Sequence, residues 1–269
     1  MNVVLIGAHP DDVEVVAGGC VTLWCQAGFD VTIVSMTNGN KGHHSEKGTA
    51  LAARRKHESK RSADLVGAKS IVMTTPDGEL EPTLAVRKKV VSLIRKAKAD
   101  LVITHRPNDY HPDHRYTSQV VQDAAYMVTV PQFLPSMPAL RKNPTFMYFM
   151  DRFQKPYPFS PDVAVGVDAV MDMKWKMFDA MESQFYEWLA WHSGILDSLP
   201  KGKKKRLAWL EENWGTRFAA FTDTLRPAFE SWYTKAKSKK IRYGEFFEIS
   251  EYGHQPTNDE LLTMFPFLG

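Results

Sequence analysis

The feature that most constrains this chain is the regular alternation, over about its first 130 residues, of short apolar runs with longer helical patterns. Val3–Ala8 is continuously apolar, as expected of a strand buried on both faces. A helical pattern follows over about Asp12–Ala27 and stops at Gly28. Asp30–Met36 predicts a second strand, Thr49–Val66 a second helix ending at Gly67, and Ser70–Thr74 a third strand. Thr83–Lys98 predicts a third helix, Leu101–His105 a fourth strand and Asp113–Met127 a fourth helix. Strands alternating with helices at this spacing form βαβ units. The fold expected is therefore α/β, a Rossmann-like, mainly parallel sheet with helices on both faces.

The second half is less regular. Pro131–Pro161 holds seven prolines around one candidate strand, Phe146–Arg152. Val163–Val167 predicts a further strand and Asp172–Trp191 an aromatic-rich helix; Leu196–Lys240 reads as helical with a basic loop, and Glu245–Ile249 as a return to the sheet. With no repeat and no boundary signal, residues 1–269 are expected to form one domain. Its core would span about residues 1–190, with an irregular, mainly helical C-terminal extension over about 191–269. A chain of this length can bury a large core.

Composition excludes several function classes. A formal charge of +3 is no concentrated basic face, so nucleic acid is not an expected partner. The run Lys201–Arg206 reads as a solvated loop at a helix start. No apolar stretch reaches membrane-span length, and the opening residues lack a signal-peptide pattern. Cys20 and Cys25, in one predicted helix, read as free thiols of a reducing compartment. These features together suggest a cytoplasmic protein that does not enter the membrane.

Two clusters carry chemistry. The first strand runs into His9-Pro10-Asp11-Asp12-Val13-Glu14, and the fourth into Asn108-Asp109-Tyr110-His111-Pro112-Asp113-His114. In a parallel sheet, ligands bind outside the carboxyl ends of the strands, so the two turns can converge. The aspartates could simply open helices, where carboxylates suit the N-terminal dipole. A cap needs no imidazole, however, and neither turn needs the other. Imidazole and carboxylate suit zinc, and three such ligands with carboxylates left over suffice for metal-assisted hydrolysis. The spacing alone does not say which aspartate binds metal and which acts as base.

The pair AHPDDVE (Ala8–Glu14) and HPDH (His111–His114) resembles the signature of the LmbE-like, or PIG-L-like, zinc-dependent N-acetylglucosaminyl deacetylases. The resemblance extends in element order over roughly residues 1–190. It implies a hydrolase that removes the N-acetyl group of an N-acetylglucosamine-type conjugate, with that small molecule as partner. It implies one divalent ion, Zn2+, held by His9, Asp12 and His114; two histidines and a carboxylate also suit Fe2+. It makes Asp11 the general base, His111 the stabiliser of the oxyanion and Asp113 a group that orients an imidazole. Glu14 closes the first motif behind the site. Arg55, in an R-x-x-E pattern with Glu58, Asp77 in a Pro-Asp-Gly turn, and Tyr110 would contact substrate. For Arg55 and Glu58 the alternative is a surface pair on a helix crowded with cations, and Pro-Asp-Gly needs only to be a turn. One departure stands out: Lys176, Ser183 and Gln184 match, but Met181 occupies the position where the family often has histidine.

Other features read as structural. Phe178, Phe185, Trp188 and Trp191 fit helical spacing for the core or a subunit contact, which would suit a homo-oligomer. His43 and His44 read as a mobile site rim, and His105 and His192 as ordinary histidines. Two competing functions are a non-catalytic metal- or sugar-binding protein on the same fold and a nucleotide-binding oxidoreductase. The latter lacks G-x-G-x-x-G after the first strand.

Overall fold

The computed structural model describes all residues, Met1–Gly269. Seven strands form one sheet: β1 (Asn2–Gly7), β2 (Asp30–Thr37), β3 (Lys69–Thr75), β4 (Leu101–Thr104), β5 (Thr145–Phe149), β6 (Val163–Gly166) and β7 (Gly244–Gly253), ordered β3-β2-β1-β4-β5-β7-β6. The pairs β1–β2, β1–β4, β2–β3 and β4–β5 are parallel, whereas β7 runs antiparallel to both β5 and β6. The expected mainly parallel sheet is present. The central apolar runs form it because helices cover both faces and leave no place for polar alternation.

The helices of the first half are α1 (Asp12–Gln26), α2 (Gly48–Asp64), α3 (Leu84–Ala97) and α4 (Pro112–Met127). One apolar cluster, containing Val4, Ile6, Val34, Val90 and Val121, fills one face of the sheet. The cluster on the other face contains Val3, Leu5, Val21, Trp24 and Phe178. It also takes in Leu210, Phe247, Leu261 and Phe265, so C-terminal residues complete the same core as β1. Both cysteines are free, and no helix is long and apolar enough to cross a membrane.

The region after residue 190 is helical in α6 (Leu189–His192), α7 (Lys203–Thr224), α8 (Lys235–Ser238) and α9 (Asn258–Met264), and Glu245–Ile249 returns to the sheet as expected, within β7 between β5 and β6. One element of the second half departs from expectation. The expected helix Asp172–Trp191 is broken: α5 (Met171–Asp179) stops, and Ser183–Trp188 winds as a π-helix before α6. Glu58 of α2 accepts from the Ser183 backbone N–H at 3.1 Å and from its hydroxyl, which ties down the start of the π segment. A π turn re-aims side chains relative to an α-helix. Phe178 and Phe185 stack in the core at 3.9 Å, while Trp188 reaches the site and Trp191 stays exposed.

A buried ion pair locks β7 in place. Lys174 of α5 donates to Glu245 of β7 at 2.7 Å and to the Val15 carbonyl at 2.8 Å. Glu245 also accepts from the Gly19 and Cys20 N–H groups of α1. Removing one partner leaves a buried charge uncompensated, so Lys174→Ala should lower stability by about 3–5 kcal/mol. Urea unfolding is the measurement, and a loss below about 1 kcal/mol would show the pair to be dispensable.

Candidate active site

The site lies at the carboxyl ends of β1 and β4, the neighbouring central strands. Gly7 ends β1 where a Cβ would lie 2.9 Å from the Asp12 Cβ, so only glycine lets Asp12 fold back against the turn. Asp12 Oδ2 accepts from the Ala8 and His9 backbone N–H groups at 2.9 and 2.7 Å. The Asp11 carboxylate makes no helix-capping bond and instead accepts from Arg55 Nη2 at 2.9 Å. A cap therefore does not account for either aspartate.

Three donor groups form a triangle. His9 Nδ1 stands 3.2 Å from His114 Nε2 and 3.4 Å from Asp12 Oδ2, and His114 Nε2 stands 3.4 Å from Asp12 Oδ1. Ligands around a tetrahedral zinc ion, at about 2.0–2.1 Å each, stand about 3.3–3.4 Å apart. The Asp12 corner is shared by its two oxygens, and each of the three separations is close to an edge of that tetrahedron. Carboxylates also stand beside the far ring nitrogens, where a metal site places its supporting groups. His9 Nε2 lies 3.2 Å from both Asp77 and Asp113, and His114 Nδ1 lies 3.1 Å from Asp109. In neutral rings protonated on those nitrogens, His9 Nδ1 and His114 Nε2 would present their lone pairs to an ion. The residues present fit a divalent metal. Overlapping groups here, including His9 with His111 and His114, and Asp12 with His105 and His114, bring potential ligand atoms together.

The field of the site favours a cation. Burial opposes charge on His114, yet Asp12 and Asp109 outweigh it and lift its pKa to about 9. Burial likewise opposes charge on His9, and Asp12, Asp113 and Asp77 hold it well above the ordinary range. Burial pushes Asp11 up, Arg55 pulls it down, and Asp12 pushes it up again, with a net rise.

His111 is different. Its Nδ1 accepts from the Asp113 N–H at 3.1 Å as the N-cap of α4. Burial, then His9 and His114, lower its pKa. A neutral imidazole with Nδ1 accepting carries its proton on Nε2, which is a free donor.

The remaining expected residues fall around this centre. Asp113 is fully buried and accepts from the Gly78 and Leu80 N–H groups while contacting His9, so its contacts are those of an orienting group. Arg55 and Glu58 are 2 % exposed, so the surface-pair alternative is excluded. Arg55 also bonds the Gly39 and Pro10 carbonyls and lines the cavity with Asp77 and Tyr110. Asp77 does more than make a turn, because it contacts His9. Tyr110 stands exposed at the mouth, edge-on to His111 and His114. Met181 is buried in the core, whereas Gln184 reaches the cavity and donates to the Gly42 carbonyl. The His43 loop is pinned by Glu187 at 3.0 Å, and Arg54 grips the same carboxylate.

Sequence reasoning missed two residues and undervalued a third. His105, read as ordinary, stacks on His114 at 4.1 Å and places Nε2 3.3 Å from Asp12 Oδ2. Asp109 had no expected role and faces His114. His192 lines the cavity. The available signal for the first two was position, since both lie in the segment between β4 and α4, which leads to His111 and His114 at the start of that helix.

The cavity over this cluster is about 560 Å³, within the range of small-molecule sites. Its floor is the His/Asp cluster, and Val15, Val16, Phe149, Trp188 and Trp214 line its walls.

Comparison with known proteins gives consistent relatives. Residues 4–125 match the family model described as PIG-L, GlcNAc-PI de-N-acetylase. A diacetylchitobiose deacetylase of Thermococcus kodakarensis is 32% identical over 198 residues, covering 71% of this chain and 73% of the relative. A 4-oxalmesaconate hydratase of Pseudomonas putida is 20% identical over 195 residues, covering 70% and 75%. A solved structure of the N,N'-diacetylchitobiose deacetylase of Pyrococcus horikoshii superposes with a TM-score of 0.71 at 25% identity, covering 96% of this chain and 88% of that one.

Proposed function

The chain belongs to the PIG-L (LmbE-like) family, and from that membership we propose that it is a zinc-dependent hydrolase releasing acetate from an N-acetylglucosamine-type conjugate. The observation that carries this reading is the donor triangle His9, Asp12 and His114, with the Asp11 carboxylate beside it and engaged by Arg55 rather than by a helix end. The deacetylase relative is the more similar of the two relatives whose named reactions differ, which favours amide hydrolysis over hydration of a double bond.

In this reading His9, Asp12 and His114 hold the ion. Bound there, zinc would supply Lewis acidity, polarising the amide carbonyl and making water acidic near neutral pH. Asp11 takes a proton from the attacking water as the new carbon–oxygen bond forms. The His111 Nε2–H donates to the carbonyl oxygen as negative charge develops on it. Asp11 then delivers its proton to the departing nitrogen, the carbon–nitrogen bond breaks, and acetate and a free amine result. Asp113 and Asp109 hold the two imidazoles, and Arg55 holds Asp11. Arg55, Asp77 and Tyr110 are the candidate substrate contacts.

The test is acetate release across a panel of N-acetylglucosamine conjugates, with metal content measured in parallel. Acetate should appear with at least one conjugate, vanish on chelation and return with zinc. A protein that binds zinc stoichiometrically but frees no acetate from any member would count against this reading and favour a binding role or the hydratase chemistry.

A further inference from the structure

The cavity above the His/Asp cluster continues outward. Its Val15, Val16, Met150 and Trp214 also line an adjoining cavity of about 300 Å³. That one shares Asp151, Arg152, Arg217 and Phe221 with a third of about 760 Å³. Sharing walls in turn, the three cavities lie in a row, a trough in outline, from the cluster to the side of α7.

Charge changes sign along this trough. The inner end carries Asp11, Asp12, Asp77, Asp109 and Asp151 against Lys41, Arg55 and Arg106, an excess of carboxylates. The wall shared by the first two cavities is mostly apolar, with Val15, Val16, Met150 and Trp214 beside Asp151. The outer two cavities are lined by a single carboxylate, Asp151, and that group is already paired with the buried Arg106 guanidinium at 2.8 Å. Arg152 and Arg217 have no such partner: neither forms an ion pair or donates a side-chain hydrogen bond. Each guanidinium instead rests over an aromatic ring, Arg152 over Phe221 at 5.4 Å and Arg217 over Trp214 at 5.3 Å. They come from different elements, the segment after β5 and the middle of α7, and converge on the same space. Guanidinium groups in that position offer a fork of donors that matches an oxyanion.

We propose that the outer end of the trough is an anion-binding subsite for a phosphate or carboxylate on the part of the substrate distal to its N-acetyl group. It rests on the deacetylase reading for what occupies the inner end, and the preferred substrate is then an anionic sugar conjugate. An apolar linker fits the middle, and the free arginines receive the anion.

Two measurements test this separately. In the first, acetate release is compared for N-acetylglucosamine glycosides carrying a phosphoalkyl, a carboxyalkyl or a neutral hydroxyalkyl chain. The anionic glycosides should have kcat/KM higher by about 10–100-fold, mainly through KM. The preference should fall toward parity in Arg152→Gln/Arg217→Gln and with added salt. A preference for phosphate over carboxylate, or the reverse, identifies the source of the anion. Equal kcat/KM on all three chains, or a preference that survives the double substitution, overturns the proposal. In the second, inorganic phosphate is titrated against the wild type and the double variant by calorimetry. Saturable binding in the wild type that is lost in the variant supports the subsite; no binding, or binding kept in the variant, overturns it. If no glycoside releases acetate, the deacetylase reading fails while this titration still decides the subsite. Both arginines are exposed, so the variant should melt with the wild type.

Discussion

His114→Ala should leave the purified protein almost free of divalent metal, with zinc affinity lowered by more than about 100-fold. The magnitude follows from a comparison: removing a group that only supports a ligand costs about 10–100-fold in affinity, and removing a ligand costs more. His114 Nε2 is one corner of a triangle with edges of 3.2–3.4 Å, and the two remaining corners cannot enclose an ion. His105→Phe in the same experiment separates ligand from support. A phenyl ring can keep the parallel stack on His114, while Nε2, 3.3 Å from Asp12 Oδ2, is lost. The Ala8 N–H stays satisfied by Asp12, so no buried donor is orphaned. That variant should fall in the 10–100-fold range. Zinc content after dialysis against a graded zinc buffer reads both. Full occupancy in His114→Ala would remove it from the ligand set, and a loss in His105→Phe as large as in His114→Ala would make His105 a ligand.

Why His114 was legible in the sequence and His105 was not is a matter of what local patterns encode. Val3–Ala8, Asp30–Met36 and Leu101–His105 announce themselves because strands buried on both faces must be apolar throughout, and the clusters at their ends are then placed by the rule for parallel sheets. His9, Asp12, Asp113 and His114 sit in two repeated His-Pro-Asp turns, so their types and order carry information. His105 has no such context, because its place at the site comes from a stack on a residue nine positions away. The same limit hides β7. Glu245–Ile249 is readable as a strand, but its seat between β5 and β6 depends on Lys174, Gly19 and Cys20, which are far off in sequence. The break at Ala180–Glu182 is likewise non-local, since Glu58 of α2 fixes the turn that the aromatic periodicity ran through. Arg55 was ambiguous for a related reason: among neighbouring cations, only burial shows which one turns inward.

Asp11→Asn should keep its metal and lose turnover by on the order of a hundred- to ten-thousand-fold, the usual cost of removing a general acid–base group. In free energy that is about 2.7–5.4 kcal/mol of barrier, at 1.36 kcal/mol per tenfold. The substitution is close to isosteric, and the amide oxygen can still accept from Arg55 Nη2, which lies 2.9 Å from Asp11 Oδ1. What disappears is the capacity to accept a proton from water and return it to nitrogen. Asp12→Asn is the necessary counterpart. Its carboxylate faces both His9 Nδ1 and His114 Nε2, so the neutral amide should weaken metal binding itself. The adjacent aspartates thus separate in two readouts, metal content and acetate release at saturating zinc. Retained metal with collapsed kcat in Asp11→Asn, beside lost metal in Asp12→Asn, is the expected pattern. The opposite pattern would exchange the two roles. Wild-type turnover in Asp11→Asn would eliminate it as the base, and His111 could not take its place, because its Nδ1 accepts from the Asp113 N–H and its Nε2 already carries the proton.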